Sequence, residues 1–293
     1  MNIFIPMTGY GSRFVAAGYR ELKPFIPVMG KPVIEWIVKG MYPEDVQFIF
    51  VCRGEHLRND PSMKGKLLAL APEAIIVTIE DWVKKGPVYD VLRAYRALCA
   101  AEGFHREDGC IINYCDFYMT WDFQKFAEQA KARDCDGAVP CYTGFHPNLL
   151  PQNNFYASCL TDAEDNLVEI REKYSFEQDR TKAKHSPGVY YFKNGAVMEK
   201  YCQILTEHEE CAINGEYYAS LPYNFMVEDG LKVWVPTDVP YFCQWGTPED
   251  MREFVYWTDL ILQIKGHTTE RAPKQCRNGK ILIPMAGAGQ RFA

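Results

Sequence analysis

Short apolar runs alternate with helix-like segments through the first 142 residues of the chain. Runs such as Phe48–Val51 lack period-two alternation, which is typical of strands that are covered on both faces. The predicted strands are Asn2–Met7, Val46–Cys52, Ala74–Ile79, Cys110–Cys115 and Gly137–Cys141, and the predicted helices are Pro32–Gly40, Ser62–Leu70, Pro87–Ala101 and Trp121–Ala132. Alternating strands and helices form right-handed βαβ units. We therefore expect an α/β fold with a doubly wound, mostly parallel central sheet.

After about Thr143 the pattern favours antiparallel strands. Asp165 and Asn166 are typical of a hairpin turn between two of them. The predicted strands are Phe155–Leu160, Leu167–Glu172, Gly188–Phe192, Lys232–Val235 and Tyr241–Gln244, and the predicted helices are Gly195–Glu207, Glu216–Asp229 and Pro248 to about Lys265. We therefore expect a mixed sheet in one domain, 1–265, with a first half of about 1–142 and a partly antiparallel second half of about 143–265.

The segment Lys280–Ala293 repeats Asn2–Val15, with Ile, Ile, Pro, Met, Gly, Gly, Arg and Phe recurring in register. We interpret it as the start of a second copy of the domain that has been cut short, in tandem with the first. The alternative is an unrelated terminal strand. Residues 266–279 are polar and rich in turn-forming residues, which is typical of a linker.

Composition narrows the classes of function. The 293 residues are 47% hydrophobic and 24% charged, with a formal net charge of -6, which is typical of a folded protein and argues against non-specific nucleic-acid binding. No apolar run is long enough to span a membrane, and no signal peptide is evident. The 11 cysteines have no two-residue spacing that would indicate zinc. We expect a cytoplasmic protein that binds neither membranes nor nucleic acids, whose oligomeric state, a homo-oligomer included, stays open.

A glycine loop follows the first predicted strand directly. In Thr8–Ser12 two glycines let the backbone turn sharply, so that its N–H groups can surround phosphate oxygens. The third glycine of a dinucleotide fingerprint and the Gly-Lys-Ser/Thr of a P-loop are both missing. Arg13 and Lys23 add two cations, as phosphoryl transfer requires. The alternative is a structural turn with solvated cations.

An acidic residue, Asp116, ends the predicted central strand that begins at Cys110. The carboxyl ends of strands are where α/β sheets bind ligands, and a carboxylate there is suited to Mg²⁺, which bridges protein and phosphate oxygens. A lone Asp at a strand end is otherwise a turn or helix cap.

Together, Ile5–Phe14, Gly18-Tyr19, Lys23-Pro24 and Gly30–Ile34 resemble the signature of the sugar-phosphate nucleotidyltransferases, the nucleotide-sugar pyrophosphorylases with a Rossmann-like, glycosyltransferase-A-like fold. The resemblance implies that Arg13 and Lys23 are catalytic and that Asp116 holds Mg²⁺, although Cys115 stands where the family usually has glycine. It also implies a nucleotide-binding loop, made of Thr8, Gly9, Tyr10, Gly11 and Ser12.

Further segments resemble the same family in the same order. Gly86-Pro87 resembles the turn before the helix that contacts the base, and the second half resembles the substrate-binding part. There the resemblance implies that substrate is bound by Glu172, Lys173, Gly188 and Glu216. Cys243–Asp250 resembles the family's Asp-x-Gly-Thr-Pro-Glu-Asp segment, but Gln244 stands where many members have a second metal-binding Asp. Either Asp116 and the nucleotide phosphates hold the metal, or another carboxylate helps, or activity is reduced.

The resemblance implies a transferase of nucleotide-sugar and polysaccharide biosynthesis. It would transfer NMP from an NTP to a small phosphorylated acceptor, a sugar 1-phosphate by family default, and release pyrophosphate. One alternative is a glycosyltransferase of similar fold, although Asn113–Asp116 is not its usual Asp-x-Asp motif. The other is a degenerate nucleotide-binding regulatory domain, for which Gln244 is the main argument. The base and the acceptor stay open, and non-sugar acceptors such as phosphocholine are included.

Overall fold

The computed structural model describes residues 1–101, 104–150 and 156–267. Its strands are β1 Asn2–Pro6, β2 Pro27–Val28, β3 Lys31–Pro32, β4 Gln47–Arg53, β5 Ile75–Ile79, β6 Cys110–Asn113, β7 Phe117–Thr120, β8 Gly137–Ala138, β9 Ser158–Thr161, β10 Leu167–Arg171, β11 Lys184–His185, β12 Val189–Phe192, β13 Val233–Trp234 and β14 Tyr241–Gln244. Its α-helices are α1 Ser12–Ala16, α2 Val33–Gly40, α3 Gly54–Asn59, α4 Met63–Leu70, α5 Pro87–Cys99, α6 Phe123–Ala132, α7 Gly195–Glu207, α8 Pro222–Glu228 and α9 Pro248–Ile264.

The central sheet has the strand order β13-β8-β12-β6-β1-β4-β5. Neighbouring strands are parallel, except that β12 runs antiparallel to both β6 and β8. The predicted mixed, mostly parallel sheet is therefore confirmed. The second half adds a three-stranded antiparallel sheet, β10-β9-β11, and its predicted hairpin turn contains Asp165 in the left-handed region at φ 62°.

The first strands are buried on both faces, which explains why apolar and polar residues do not alternate along them. In β1, Phe4 lies beside Ile49 of β4 and Ile112 of β6, and all three belong to the core shared with α5, α7 and α8. The alternate residues of β1, Ile3 and Ile5, point to the opposite face and are also fully buried. The carboxyl ends of β1 and β6, which carry the candidate site, are thus fixed by a packed core.

The predicted helix Glu216–Asp229 is wrong at its start, since α8 begins only at Pro222. Asn214 and Gly215 both have positive φ and close a turn between Ile213 and Glu216. Proline favours the first turn of a helix, which places the start at residue 222. In the segment before α8, the backbone N–H of Tyr217 instead donates to the carbonyl of Lys85.

The chain divides after Arg252 into two compact units, Met1–Arg252 and Glu253–Ala293. Within the described residues no helix is both long and apolar enough to cross a membrane. The predicted repeat 280–293, and the predicted linker from residue 268 onwards, lie outside the described residues.

Candidate active site

The glycine loop connects β1 to α1. Gly11 stands immediately before α1 in the left-handed conformation, at φ 59° and ψ 32°. A Cβ at Gly11 would lie an ordinary 3.6 Å from the Cβ of Lys23, so the backbone conformation rather than space favours glycine there. The loop therefore turns sharply at the end of a buried strand and passes beside Lys23.

Lys23 and Asp116 form an ion pair, although 93 positions separate them in the chain. The Nζ atom of Lys23 lies 2.8 Å from Oδ2 of Asp116, with side-chain exposures of 19% and 37%. Lys23 starts a short 3-10 turn that Pro24 supports, and Asp116 lies between β6 and β7. One cation and one carboxylate thus meet at the carboxyl end of the sheet, and both stay accessible to a ligand.

Two cavities share this ion pair. The large cleft has a volume of about 1240 Å³, and its lining includes Arg13, Lys23, Asp116, Glu172, Lys173 and Gly188. The small pocket has a volume of about 250 Å³, and its lining includes Thr8, Gly9, Gly11, Lys23, Gly86, Pro87, Asp116 and Glu216. Tyr10 and Ser12 line neither of these two cavities of the described chain. The structure thus brings Arg13, Lys23 and Asp116 to a common cleft.

The turn before α5 forms one wall of the small pocket. Gly86 has φ 90°, and a Cβ there would lie 2.6 Å from the backbone nitrogen of Tyr217. That nitrogen donates to the carbonyl of Lys85 at 2.8 Å, which holds Glu216 against the turn. The structure therefore places Glu216 beside the predicted base-binding turn rather than in the large cleft.

Glu172 and Lys173 lie in the large cleft. The Ser220 hydroxyl donates to Oε1 of Glu172, and burial raises the pKa of this carboxyl from 4.5 to about 7. Lys173 has φ 54°, and its ammonium lies 5.5 Å from the ring centre of Tyr218. Near neutral pH the cleft thus offers a carboxyl group that accepts or donates a hydrogen bond, next to a cation.

Gly188 forms another part of the wall of the large cleft. Its φ is 111°, and a Cβ there would lie 3.1 Å from the rings of both Tyr114 and Phe117. A side chain at this position would therefore be strained and would have to displace an aromatic ring.

The residues around Asp116 fit a magnesium ion that is held together with a bound nucleotide. In the described chain no three His, Cys, Asp or Glu side chains form a metal site of their own. A Cβ at Gly246 would lie 3.7 Å from Oδ2 of Asp116 and 3.8 Å from Oδ2 of Asp250, and Nε2 of Gln244 donates to that Asp250 oxygen at 2.7 Å. The backbone N–H and the hydroxyl of Thr247 also donate to that Asp250 oxygen. Mg²⁺ commonly takes one or two carboxylates plus substrate phosphates, and Asp116 fits that pattern.

Sequence reasoning missed the groups that support the glycine loop. The Thr8 hydroxyl and the Trp82 indole nitrogen both donate to Oδ2 of Asp90, and the guanidinium of Arg53 packs against the rings of both Tyr10 and Trp82, at 4.2 and 4.5 Å from their centres. Burial raises the pKa of Asp90. The sequence did contain one signal for this cluster, because Asp90 is a charged residue on the apolar face of α5, between the buried positions 88 and 91.

Comparison with known proteins agrees with this geometry. The sequence matches the family model for the MobA-like NTP transferase domain over residues 4–180. No curated protein matches the sequence.

Solved structures show the same fold at low sequence identity. A nucleoside-diphosphate-sugar pyrophosphorylase from Vibrio cholerae RC9 is 16% identical, with a TM-score of 0.69 over 87% of this chain and 99% of its own. A UDP-glucose pyrophosphorylase complexed with UDP-glucose is 14% identical, with a TM-score of 0.64 over 88% of this chain and 98% of its own.

Proposed function

The chain belongs to the MobA-like NTP transferase family, and from this premise we propose that it transfers a nucleoside monophosphate from an NTP to a sugar 1-phosphate and releases pyrophosphate. The observation that carries the proposal is the Lys23–Asp116 ion pair, which lines both cavities while Arg13 lines the larger one. Transfer between two phosphorylated substrates requires adjoining sites that meet at the reacting phosphate.

The small pocket takes the base end of the NTP, and the large cleft takes the acceptor. A phosphate oxygen of the acceptor attacks the α-phosphorus in line, a new P–O bond forms, and the bond to the β-phosphate breaks with pyrophosphate as the leaving group. The attacking oxygen is already anionic, so no general base is needed. Arg13 and Lys23 bind the phosphate oxygens and offset the charge that develops on them.

Magnesium, when bound, would supply further charge neutralisation at the phosphates. Asp116 would be its protein ligand, and Asp250 is the neighbouring carboxylate that could help where Gln244 replaces the family's second Asp, provided that it gives up its bonds to Thr247. When the nucleotide binds, the ammonium of Lys23 turns from Asp116 to the phosphates.

Lys173 and Glu172 orient the acceptor in the large cleft. The ammonium of Lys173 is suited to the acceptor phosphate, and the carboxyl group of Glu172 is suited to a hydroxyl. Since NTPs and sugar phosphates are cytoplasmic metabolites, we place the enzyme in the cytoplasm, in nucleotide-sugar biosynthesis that serves polysaccharides. The domain comprises 1–265, with 266–279 as linker and 280–293 as the start of a second copy.

An acceptor panel tests the proposal. The protein is incubated with Mg²⁺, one NTP at a time and a panel of sugar 1-phosphates and non-sugar phosphates, and pyrophosphate is measured. Release of pyrophosphate that requires both an NTP and a sugar 1-phosphate is the expected result. Tight NTP binding without release would instead support a regulatory domain, and consumption of a nucleotide-sugar would support a glycosyltransferase.

A further inference from the structure

Asp90 is a buried carboxylate in the wall of the small pocket. It lies in the first turn of α5 and is 1% exposed. Its Oδ2 atom accepts hydrogen bonds from the Thr8 hydroxyl and from the Trp82 indole nitrogen. Its Oδ1 atom, by contrast, is buried and has no hydrogen-bond partner among the described residues. One oxygen is therefore committed to the protein, and the other still lacks a donor.

The nearest cations do not supply that donor. Arg53 packs against the rings of Tyr10 and Trp82 and bonds Glu55 through Nη2, while its Nη1 is buried without a hydrogen-bond partner among the described residues; Arg93 bonds the exposed Asp81. No cation of the described chain forms an ion pair with Asp90. A buried acceptor without a donor is costly, so a ligand that brings an N–H group to Oδ1 gains affinity.

The chemistry of the bases decides which ligand fits. A cavity of about 250 Å³ is smaller than the clefts that enclose whole drug-sized ligands, so it suits the base end of a nucleotide. Guanine offers two adjacent donors, N1–H and the N2 amino group. Adenine and cytosine place a ring acceptor beside the amino group, and uracil places a carbonyl on each side of N3–H; a carboxylate repels these lone pairs.

Building on the proposed function, we propose that Asp90 selects the base and favours a guanine nucleotide, with Oδ1 as the acceptor for the guanine N–H edge. Thr8 and Trp82 fix the carboxylate plane through Oδ2, so the direction of Oδ1 is set before the base binds. A preorganised acceptor of this kind discriminates more strongly than a flexible one.

Calorimetric titration of the full chain with GTP, ATP, CTP and UTP in Mg²⁺ tests the assignment. The wild type is expected to bind GTP most tightly. Asp90→Asn retains an oxygen for Thr8 and Trp82 but places an amide donor at the Oδ1 position. We expect GTP affinity to fall by about tenfold to a hundredfold, and the order to shift towards UTP, whose carbonyls accept that donor.

Two further variants separate base selection from support of the loop. Asp81→Asn changes a carboxyl that is 85% exposed and paired with Arg93, and it is expected to leave the order of the four nucleotides unchanged. Trp82→Phe removes one of the two donors that orient the carboxylate but leaves Oδ1 in place, so the preference for GTP should narrow by less than in Asp90→Asn. Unchanged melting temperatures check that Asp90→Asn is folded.

The outcomes are distinguishable from those of the transfer assay. Equal weakening of all four nucleotides in Asp90→Asn, or a wild type that prefers another base, overturns the selection by Asp90 even if transfer occurs. Guanine-selective binding that Asp90→Asn abolishes, without any pyrophosphate release, overturns the transferase proposal alone. Failure of every nucleotide to bind overturns both.

Discussion

At the scale of single residues, Lys23 and Asp116 carry the candidate chemistry. Neither residue is informative alone, because solvated lysines and capping aspartates are common on protein surfaces. Their contact at 2.8 Å, at the boundary of two cavities, is what makes them candidates for binding a phosphate. The sequence indicated both residues through a motif, and the structure brings them into contact.

Replacing Lys23 with alanine should therefore reduce transfer strongly. Loss of one charge-stabilising group costs on the order of a hundredfold in kcat, and we expect at least about that loss of pyrophosphate release for Lys23→Ala. Lys39→Ala is the matched control, since Lys39 is 56% exposed and, in the described part of the chain, pairs only with Glu35 on the surface of α2. Near-normal turnover in Lys23→Ala would remove Lys23 from the mechanism.

Titration of the Glu172 carboxyl should make the free energy of unfolding depend on pH. Burial raises the pKa of its carboxyl from 4.5 to about 7, so between these values the folded protein keeps a proton that the unfolded chain releases. The free energy of unfolding should therefore fall as the pH rises from 5 to 7, by up to about 3 kcal/mol from this group. Urea denaturation at several pH values measures the slope.

Two variants check this assignment. Glu172→Gln should make the free energy of unfolding depend less steeply on pH. Ser220→Ala removes a hydroxyl that donates to the carboxylate and lowers its pKa, so it should move the transition to higher pH. A slope that Glu172→Gln leaves unchanged would show that another group titrates.

At the scale of elements, the turn between β5 and α5 connects the two halves of the site. Its backbone pairs with the segment before α8, through Tyr217 and Lys85, and this pairing holds Glu216 at the small pocket. The local sequence around residue 216 favours a helix, but the long-range pairing overrides that preference. The turn can approach so closely only because Gly86 has no side chain.

Gly86→Ala should destabilise the protein more than an alanine at another glycine with a positive φ. Gly230→Ala is the matched control, because Gly230 has φ 76° and a Cβ there would have no atom within 4 Å, whereas Gly86 has φ 90° and a Cβ there would meet the backbone of Tyr217 at 2.6 Å. A positive φ costs an alanine about 1–2 kcal/mol or more in both variants, with the larger strain at Gly86, whose ψ is 172°, and the clash with Tyr217 adds to this only at Gly86. Equal urea midpoints would contradict the close approach.

At the scale of the whole molecule, the site draws on residues from positions 6 to 250. Every residue that lines either cavity thus precedes the linker and the repeated segment predicted from the sequence. The repeated segment is similar in sequence to the part of the chain that forms β1 and the glycine loop of the first site. The first strand of a second copy would need its own neighbouring strands, because β1 in the first copy pairs with β4 and β6.

Deletion of residues 268–293 should accordingly leave nucleotide binding and pyrophosphate release unchanged. The physical reason is that all lining residues of both cavities remain in the shortened chain. Steady-state kinetics with the NTP and the acceptor varied separately measures the effect. A large rise in either KM would mean that the segment contributes to the site.

The sequence determined the features that depend on local pattern. Unbroken apolar runs such as Phe48–Val51 predicted buried strands, and the glycines of Thr8–Ser12 predicted a turn at the end of β1, because burial and backbone conformation are set by neighbouring residue types. Only the tertiary structure decided the insertion of β12 between β8 and β6, the position of Glu216 and the bond from Thr8 to Asp90. These features depend on contacts between distant segments, whose energies no local pattern of residues specifies.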